Sequence, residues 1–351
     1  MIHFVYAVPP PQVGGIATVL KHYRRLSHVG LRLPRWYRRG WMPGVPNPLP
    51  APGSITANLY RYLRRFVPVR LYDWDEMGQI NCAAGDIILG HPHLDPQTLI
   101  QQTIASAPQC RLTALIFPMH HAMPAISRFT LPLIAKVDKV FGIMGPYWRD
   151  TLDQSHFSPW KHKITSVDMA VDSKQYPFIK KSYNPPGRRG YLYIGNNRPE
   201  KGCDVLGATM KSLGQFPCGW IGGGPDIPHM TRLASYASLT PDLVASLTDT
   251  YDFFVNTSVS DANPTTILEA MAWGFPVACT PESGYYNMPT ITKLSTTDIE
   301  QNVKTLLDLQ YAPEDHLRTL SIEGRHAVET SYSWERFCSA IWREVEPYAC
   351  G

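Results

Sequence analysis

The segment of this 351-residue chain with the most interpretable chemistry runs Ser260-Asp-Ala-Asn-Pro-Thr-Thr-Ile-Leu-Glu-Ala-Met-Ala-Trp-Gly-Phe-Pro276. Asn263 is of the type that caps a helix N-terminus, and Pro264 suits the first helical position, where a missing N–H costs nothing. Gly274 and Pro276 then stop the helix after about ten residues. The first N–H groups of such a helix, those of Thr265 and Thr266, have no intrahelical partner and lie at the positive end of its dipole, an arrangement suited to a diphosphate. Glu269, further into the helix, is placed to accept hydrogen bonds from a ribose whose phosphates rest on the tip. An ordinary capped helix with a solvated Glu is the plain alternative, and the segment alone does not separate the two.

The elements that must position these residues read as α/β. Residues 2–8 form an apolar run followed by a Pro/Gly loop ending in Gly14-Gly15, and Ile16, Val19, Leu20 and Tyr23 then fall on one face of a helix. Further strands are expected at Asp86–Leu89, Leu112–Phe117, Val137–Ile143 and Ile164–Val167, with helical stretches between most of them. Such alternation predicts a parallel sheet with active-site loops beyond the carboxyl ends of its strands. Residues 173–189 break the pattern and read as a linker. A second series follows at Tyr191–Ile194, Gly219–Gly222, Asp252–Asn256 and Pro276–Cys279, and an amphipathic helix from about Ser333 to Val345 ends the chain. The expected architecture is two Rossmann-like α/β domains facing a cleft: residues 1–175, residues 176–330, and a final helix in 331–351 able to cross back to the first domain.

With the elements in place, the segment around Glu269 resembles the Glu-x7-Glu motif of retaining, family-4-like GT-B glycosyltransferases. The resemblance implies that Glu269 binds the nucleotide ribose. Asp261 stands eight residues earlier, where the family usually has a Glu contacting the donor sugar, so this is an Asp-x7-Glu variant with one methylene less reach. Tyr193-Ile-Gly195-Asn-Asn-Arg198-Pro-Glu-Lys201-Gly202 is similar to the family's Gly-Arg-x(3–4)-Glu-Lys-Gly loop, in which Arg and Lys neutralise the leaving diphosphate without a metal. Lys201 matches directly, whereas Asn196 occupies the Arg position and Arg198 lies two residues on. Ile221-Gly222-Gly223-Gly224-Pro225 resembles a turn whose glycines leave room for the nucleotide, and Gly14-Gly15 resembles the N-terminal glycine loop that faces the diphosphate. A Gly-x-Gly-x-x-Gly fingerprint is missing, which argues against NAD. His120 and His121 follow the Leu112–Phe117 strand where the family places a His near the donor sugar, and the sequence does not choose between them. His91 and His93, in Gly90-His-Pro-His, suit the acceptor side.

Charge bears on the acceptor. Net charge is only +4, but residues 1–175 hold 19 Lys+Arg against 10 Asp+Glu and the remainder 14 against 19. Residues 1–72 contain eleven Lys+Arg and no acid. Within them, Pro34-Arg-Trp-Tyr-Arg-Arg-Gly-Trp41 and Leu59-Tyr-Arg-Tyr-Leu-Arg-Arg-Phe66 interleave arginine with aromatic rings. Arg35, Arg38 and Arg39 are therefore placed on the acceptor side, facing an anionic membrane or nucleic acid. A solvated basic rim is the alternative. No run of 18 apolar residues and no signal-peptide pattern is present, and seven scattered cysteines lack a Cys-x2-Cys pair, so a reducing cytoplasm, with peripheral attachment at the inner membrane surface, is the expected location.

The implied activity is retaining transfer of a hexosyl-type sugar from a UDP- or GDP-linked donor to a hydroxyl acceptor, with no cofactor and no metal. The acceptor class suggested by the resemblance is a membrane glycolipid or glycan precursor. Rival readings are a phage-type enzyme glycosylating a hydroxylated DNA base, a sugar-nucleotide epimerase or phosphorylase, and an inactive nucleotide-sugar binding protein.

Overall fold

The computed structural model describes residues 1–6, 53–72, 80–92, 110–124, 130–235, 237, 239–286 and 288–350. Gly14, Gly15, Arg35, Arg38, Arg39 and His93 lie outside these residues. The described strands form two six-stranded parallel sheets with helices, as the alternating pattern predicts. The first sheet contains β1 (Ile2–Val5), β2 (Val69–Tyr72), β3 (Ile87–Gly90), β4 (Leu112–Pro118), β5 (Lys139–Ile143) and β6 (Ile164–Val167) in the order β2-β1-β3-β4-β5-β6. The second contains β7 (Tyr191–Ile194), β8 (Cys218–Ile221), β9 (Thr231–Ala234), β10 (Phe253–Asn256), β11 (Val277–Cys279) and β12 (Ile291–Lys293) in the order β12-β11-β10-β7-β8-β9.

Central strands such as β1, β3 and β10 are buried along their whole length, and apart from His3 and Asn256 their residues are apolar or glycine, as parallel strands covered on both faces require. The strands that the apolar pattern does not reveal are β2, β9 and β12, all of them sheet edges. Val69-Arg-Leu-Tyr72, Thr231-Arg-Leu-Ala234 and Ile291-Thr-Lys293 are polar or alternating because one side of each meets solvent. His3 ties the starting edge of the first sheet together, its ring nitrogens lying 3.0 Å from Tyr72 Oη and 3.0 Å from Asp86 Oδ2.

The described helices are α1 (Gly53–Leu63), α2 (Leu131–Ile134), α3 (Gly145–Asp150), α4 (Cys203–Leu213), α5 (Pro241–Thr248), α6 (Thr265–Trp273), α7 (Ile299–Tyr311), α8 (Glu314–Ser331) and α9 (Trp334–Ala349). In the second sheet α4, α5 and α6 connect successive strands, and Tyr191, Trp220, Phe253 and Val255 from the strands pack with Leu206, Met210, Leu306 and Leu317 from helices. Compact contacts divide the chain into one unit of Met1–Ile116, Lys136–Lys139 and Ile341–Gly351, and another of Phe117–Ala135 and Val140–Ala340. In the first unit, Trp342 in the middle of α9 stacks on Phe66, and Glu344 forms an ion pair with Lys139.

Residues 173–189 hold one 3-10 turn and no strand, yet they are firmly anchored. Lys180 is buried against Asp252, with Nζ 2.8 Å from its carboxylate. Arg189 is buried too and donates from Nη1 to the carbonyls of Leu309, Gln310 and Ala312.

Candidate functional site

The carboxyl end of β10 delivers a loop, residues 257–264, that is clamped from both sides. Val259 and Ser260 donate backbone N–H bonds to Glu200 O at 3.0 and 3.1 Å, and Thr257 Oγ1 donates to Gly202 O at 2.9 Å. Opposite, Asp261 N donates to Glu282 O at 2.9 Å and Asn263 N to Ser283 O at 3.1 Å. This is why Gly202 follows Lys201: its φ is +58°, and a Cβ there would stand 2.1 Å from Thr257 O. The clamp brings Lys201 and Asp261, sixty residues apart, into a direct ion pair, both side chains partly exposed. Ser258 Oγ lies 3.5 Å from the same carboxylate, and Trp148 Nε1 donates 2.6 Å to Asp261 O.

The helix after this loop starts one residue later than its sequence suggests. Asn263 is not its cap. Pro264 holds that position, with an extended ψ of 134°, and Asn263 adopts a left-handed φ of +62°. The reason is competition: the Asn263 Oδ1 that would have turned back onto the helix accepts from Met169 N at 2.5 Å instead. Thr265 and Thr266 nevertheless occupy the first helical turn with half-buried side chains, and Gly274 ends the helix at φ +94° as expected.

Glu269, on α6, lies against an apolar recess lined by Leu192, Ile194, Val244, Leu247 and Trp273. Burial raises its carboxyl to about 7, against the opposing pull of hydrogen bonds with Thr265 and Tyr176. Tyr176 Oη is 3.5 Å from Glu269 Oε1. Near neutral pH this group therefore exists in both protonation states, and a ligand hydroxyl donating to it would favour the carboxylate.

His120 and His121 are held in different ways. His120 Nδ1 is 2.6 Å from Ser260 Oγ, and burial lowers its pKa despite the nearby Asp261 charge. His121 Nε2 is 2.9 Å from Thr151 Oγ1, and its ring meets Trp148 edge-on at 4.7 Å. Burial, with His156 and His120 close by, brings its pKa to about 4. Both imidazoles are thus neutral at neutral pH, His120 next to the Asp261 loop and His121 turned to α3.

The glycine positions after β7 and β8 touch one another. A Cβ on Gly222 would lie 1.9 Å from Gly195 O, which also accepts from Trp220 Nε1 at 2.8 Å. Asn196 Oδ1 accepts from Gly223 N at 2.9 Å, so the residue at the expected arginine position tethers the neighbouring loop and occupies the Gly223 amide. Arg198 is largely exposed, 3.9 Å from Glu200, and takes no part in the Lys201–Asp261 pair. In the first unit, His91 follows β3, donates from its backbone N to Val5 O at 2.9 Å and packs edge-on against Tyr6 at 4.7 Å.

The structure thus gathers Lys201, Asp261, His120 and the tip of α6 around one loop, with Glu269 further along the helix. Ser260, Trp148 and Tyr176, which hold these groups, escaped the sequence reading. Ser260 lies inside the informative segment and a hydroxyl there is a signal of sorts, whereas Trp148 and Tyr176 are placed only by the fold. Among the described residues no cluster of three His, Cys, Asp or Glu side chains is arranged to hold a metal ion.

By sequence the chain matches no protein-family model and no curated protein. By structure it is similar to the sucrose-phosphate synthase of Thermosynechococcus elongatus, with a TM-score of 0.63, 13% identity, and coverage of 99% of this chain and 98% of that one. It is also similar to the α,α-trehalose 6-phosphate synthase of Burkholderia multivorans, with a TM-score of 0.61, 12% identity, and coverage of 99% and 96%. A lipopolysaccharide outer core galactosyltransferase, WaaB, matches with a TM-score of 0.58, 13% identity, and coverage of 98% and 99%. Full-length matches of this kind show that the chain has the GT-B fold.

Proposed function

We propose that the protein is a nucleotide-sugar-dependent glycosyltransferase whose donor site lies on residues 176–330. The observation that carries this reading is the pairing of Lys201 with Asp261 at the end of β10, directly before the free N–H groups of α6 and with Glu269 eight residues on. A donor diphosphate placed at the helix tip meets the dipole and the Lys201 ammonium, and its ribose hydroxyls reach the Glu269 carboxyl. Asp261, relieved of Lys201 by the phosphates, accepts hydrogen bonds from the sugar. In the transfer the bond from the anomeric carbon to the diphosphate breaks, its electron pair stays on the phosphate, and Lys201 stabilises that charge. The acceptor oxygen bonds to the anomeric carbon and its proton passes to the departing phosphate. Transfer with retention, without metal or cofactor, follows the motif resemblance. Arg198, exposed and flexible in reach, joins the phosphates only if it swings from Glu200.

The basic N-terminal stretch supports an acceptor on an anionic surface, a membrane glycolipid or glycan precursor, ahead of a modified DNA base. The decisive experiment measures UDP and GDP binding by calorimetry and sugar release from their hexose conjugates, in wild type, Lys201→Ala and Glu269→Ala. Release should fall at least about a hundredfold in each variant, with Glu269→Ala also weakening nucleotide binding. Unchanged turnover in both variants of an active parent would refute the site.

A further inference from the structure

Two cysteines of the first unit are brought together where its central strands begin. Gly85, at φ +86°, is the third residue of the tight turn Ala83-Ala-Gly-Asp86, in which Asp86 N donates to Ala83 O at 3.1 Å and Ala83 N donates to Asp86 Oδ2 at 2.8 Å. The turn folds the chain back on itself before β3, and Arg111 N, donating to Asp86 O at 2.8 Å, draws the lead-in of β4 alongside. Cys82 and Cys110 therefore meet, their thiols hydrogen-bonded to each other and packed with Ile80 and Ile88. Cys82 is buried and Cys110 half-buried. Thiols of the second unit have other neighbours: Cys203 bonds with Tyr193, Cys218 Sγ lies 3.2 Å from Met210 Sδ, and Cys279 Sγ accepts from Ser283 Oγ at 3.4 Å.

We propose that Cys82 and Cys110 are a dithiol that closes to a disulfide when the protein meets a small-molecule disulfide such as oxidised glutathione, tying the lead-in of β3 to that of β4. Cys110, the more accessible thiol, reacts first. Its thiolate attacks one sulfur of oxidised glutathione and expels a glutathione thiolate, and Cys82, giving up its proton, then attacks the Cys110 sulfur and expels the second. Two protein thiols are oxidised, one glutathione disulfide is reduced to two thiols, and the two protons pass to the departing glutathione. Burial raises both protein thiols, Cys82 to about 12, so little thiolate is present at neutral pH and closure is slow. The same basicity makes each sulfur a poor leaving group, so the link resists reduction once made. It is a staple for the sheet rather than a rapid sensor. The pair lies at the starting ends of β3 and β4, away from the carboxyl end of β3 where His91 stands, and the inference does not depend on the reaction catalysed.

Incubation of the folded full chain with excess oxidised glutathione, followed by alkylation of the remaining thiols and peptide mapping without reductant, tests it. Wild type should yield a peptide linked through Cys82 and Cys110 and lighter by two hydrogens. The exposed Cys350 should carry glutathione earlier in the same sample, which shows that the oxidant acted. The linked protein should melt a few degrees above the reduced one, because the link restricts the unfolded chain between the two cysteines. Cys82→Ser should leave Cys110 trapped as its glutathione adduct, and Cys110→Ser should leave Cys82 reduced. A glutathione adduct on Cys350 with Cys82 and Cys110 both still alkylated in wild type, an adduct that persists on wild-type Cys110, or linkage of either residue to a different cysteine would overturn the proposal.

Discussion

β10 carries a lysine–aspartate pair at each end, and the two differ in everything but chemistry. At its start, Asp252 is fully buried and accepts from Lys180 Nζ, Asn184 N, Asn184 Nδ2 and Gly190 N, while Lys180 also donates to Thr248 O. Past its end, Lys201 and Asp261 stay partly exposed, and among the described residues Lys201 holds only Asp261. A buried pair whose acid accepts four hydrogen bonds has no partner to exchange; a partly exposed pair whose lysine holds one contact can trade that contact for a ligand's phosphate at smaller cost. The first pair fixes the segment 180–190 to the sheet. The second keeps the partial exposure that the proposed donor site requires.

The sharpest way to break this contrast is to remove one acid from each pair and follow thermal or urea unfolding. Asp252→Ala strands a buried ammonium whose pKa burial already lowers, and should cost about 3–5 kcal/mol, enough to leave little folded protein. Asp261→Ala should cost about 1 kcal/mol or less, as partly exposed pairs do. Equal losses would mean that both pairs serve the fold.

Glu269 gives a smaller, pH-dependent effect. Its folded carboxyl titrates near 7, above the range of an unfolded Glu, so the folded state holds the extra proton between those values. Stability from this site is therefore present at low pH and is lost as pH rises toward about 7, and Glu269→Gln should flatten that slope. Nucleotide affinity should move the other way, weakening as pH falls through about 7, because the carboxylate is the form that accepts from ribose. A wild-type stability profile parallel to that of Glu269→Gln across this window would remove the titration from Glu269.

The smallest effect belongs to Ser260. Ser260→Ala takes away the partner of His120 Nδ1 and should lower transfer by roughly tenfold, about one hydrogen bond's worth, while Ser260→Thr restores much of it. A loss in both variants accompanied by a lower melting temperature would assign Ser260 to packing of the loop alone.

How much of this was legible depended on whether a residue's role is set by its neighbours in sequence. The central strands were, because burial on both faces demands a mostly apolar run, and so were the stop of α6 at Gly274 and the order of Lys201, Asp261 and Glu269. The edge strands β2, β9 and β12 were not, since a strand with one wet side loses that run. Asn263 shows the limit most clearly: its type and place read as a helix cap, but Met169, ninety-four residues earlier, claims its side-chain oxygen. Likewise Asn196 looks like a lost phosphate ligand in sequence and is a tether for Gly223 in the fold. The sequence by itself determined the alternation of strands and helices and the residue types that could meet a nucleotide sugar. Only the tertiary structure decided which of those groups keep a free hydrogen-bonding capacity, because that depends on partners that distant parts of the chain bring within 3 Å or so.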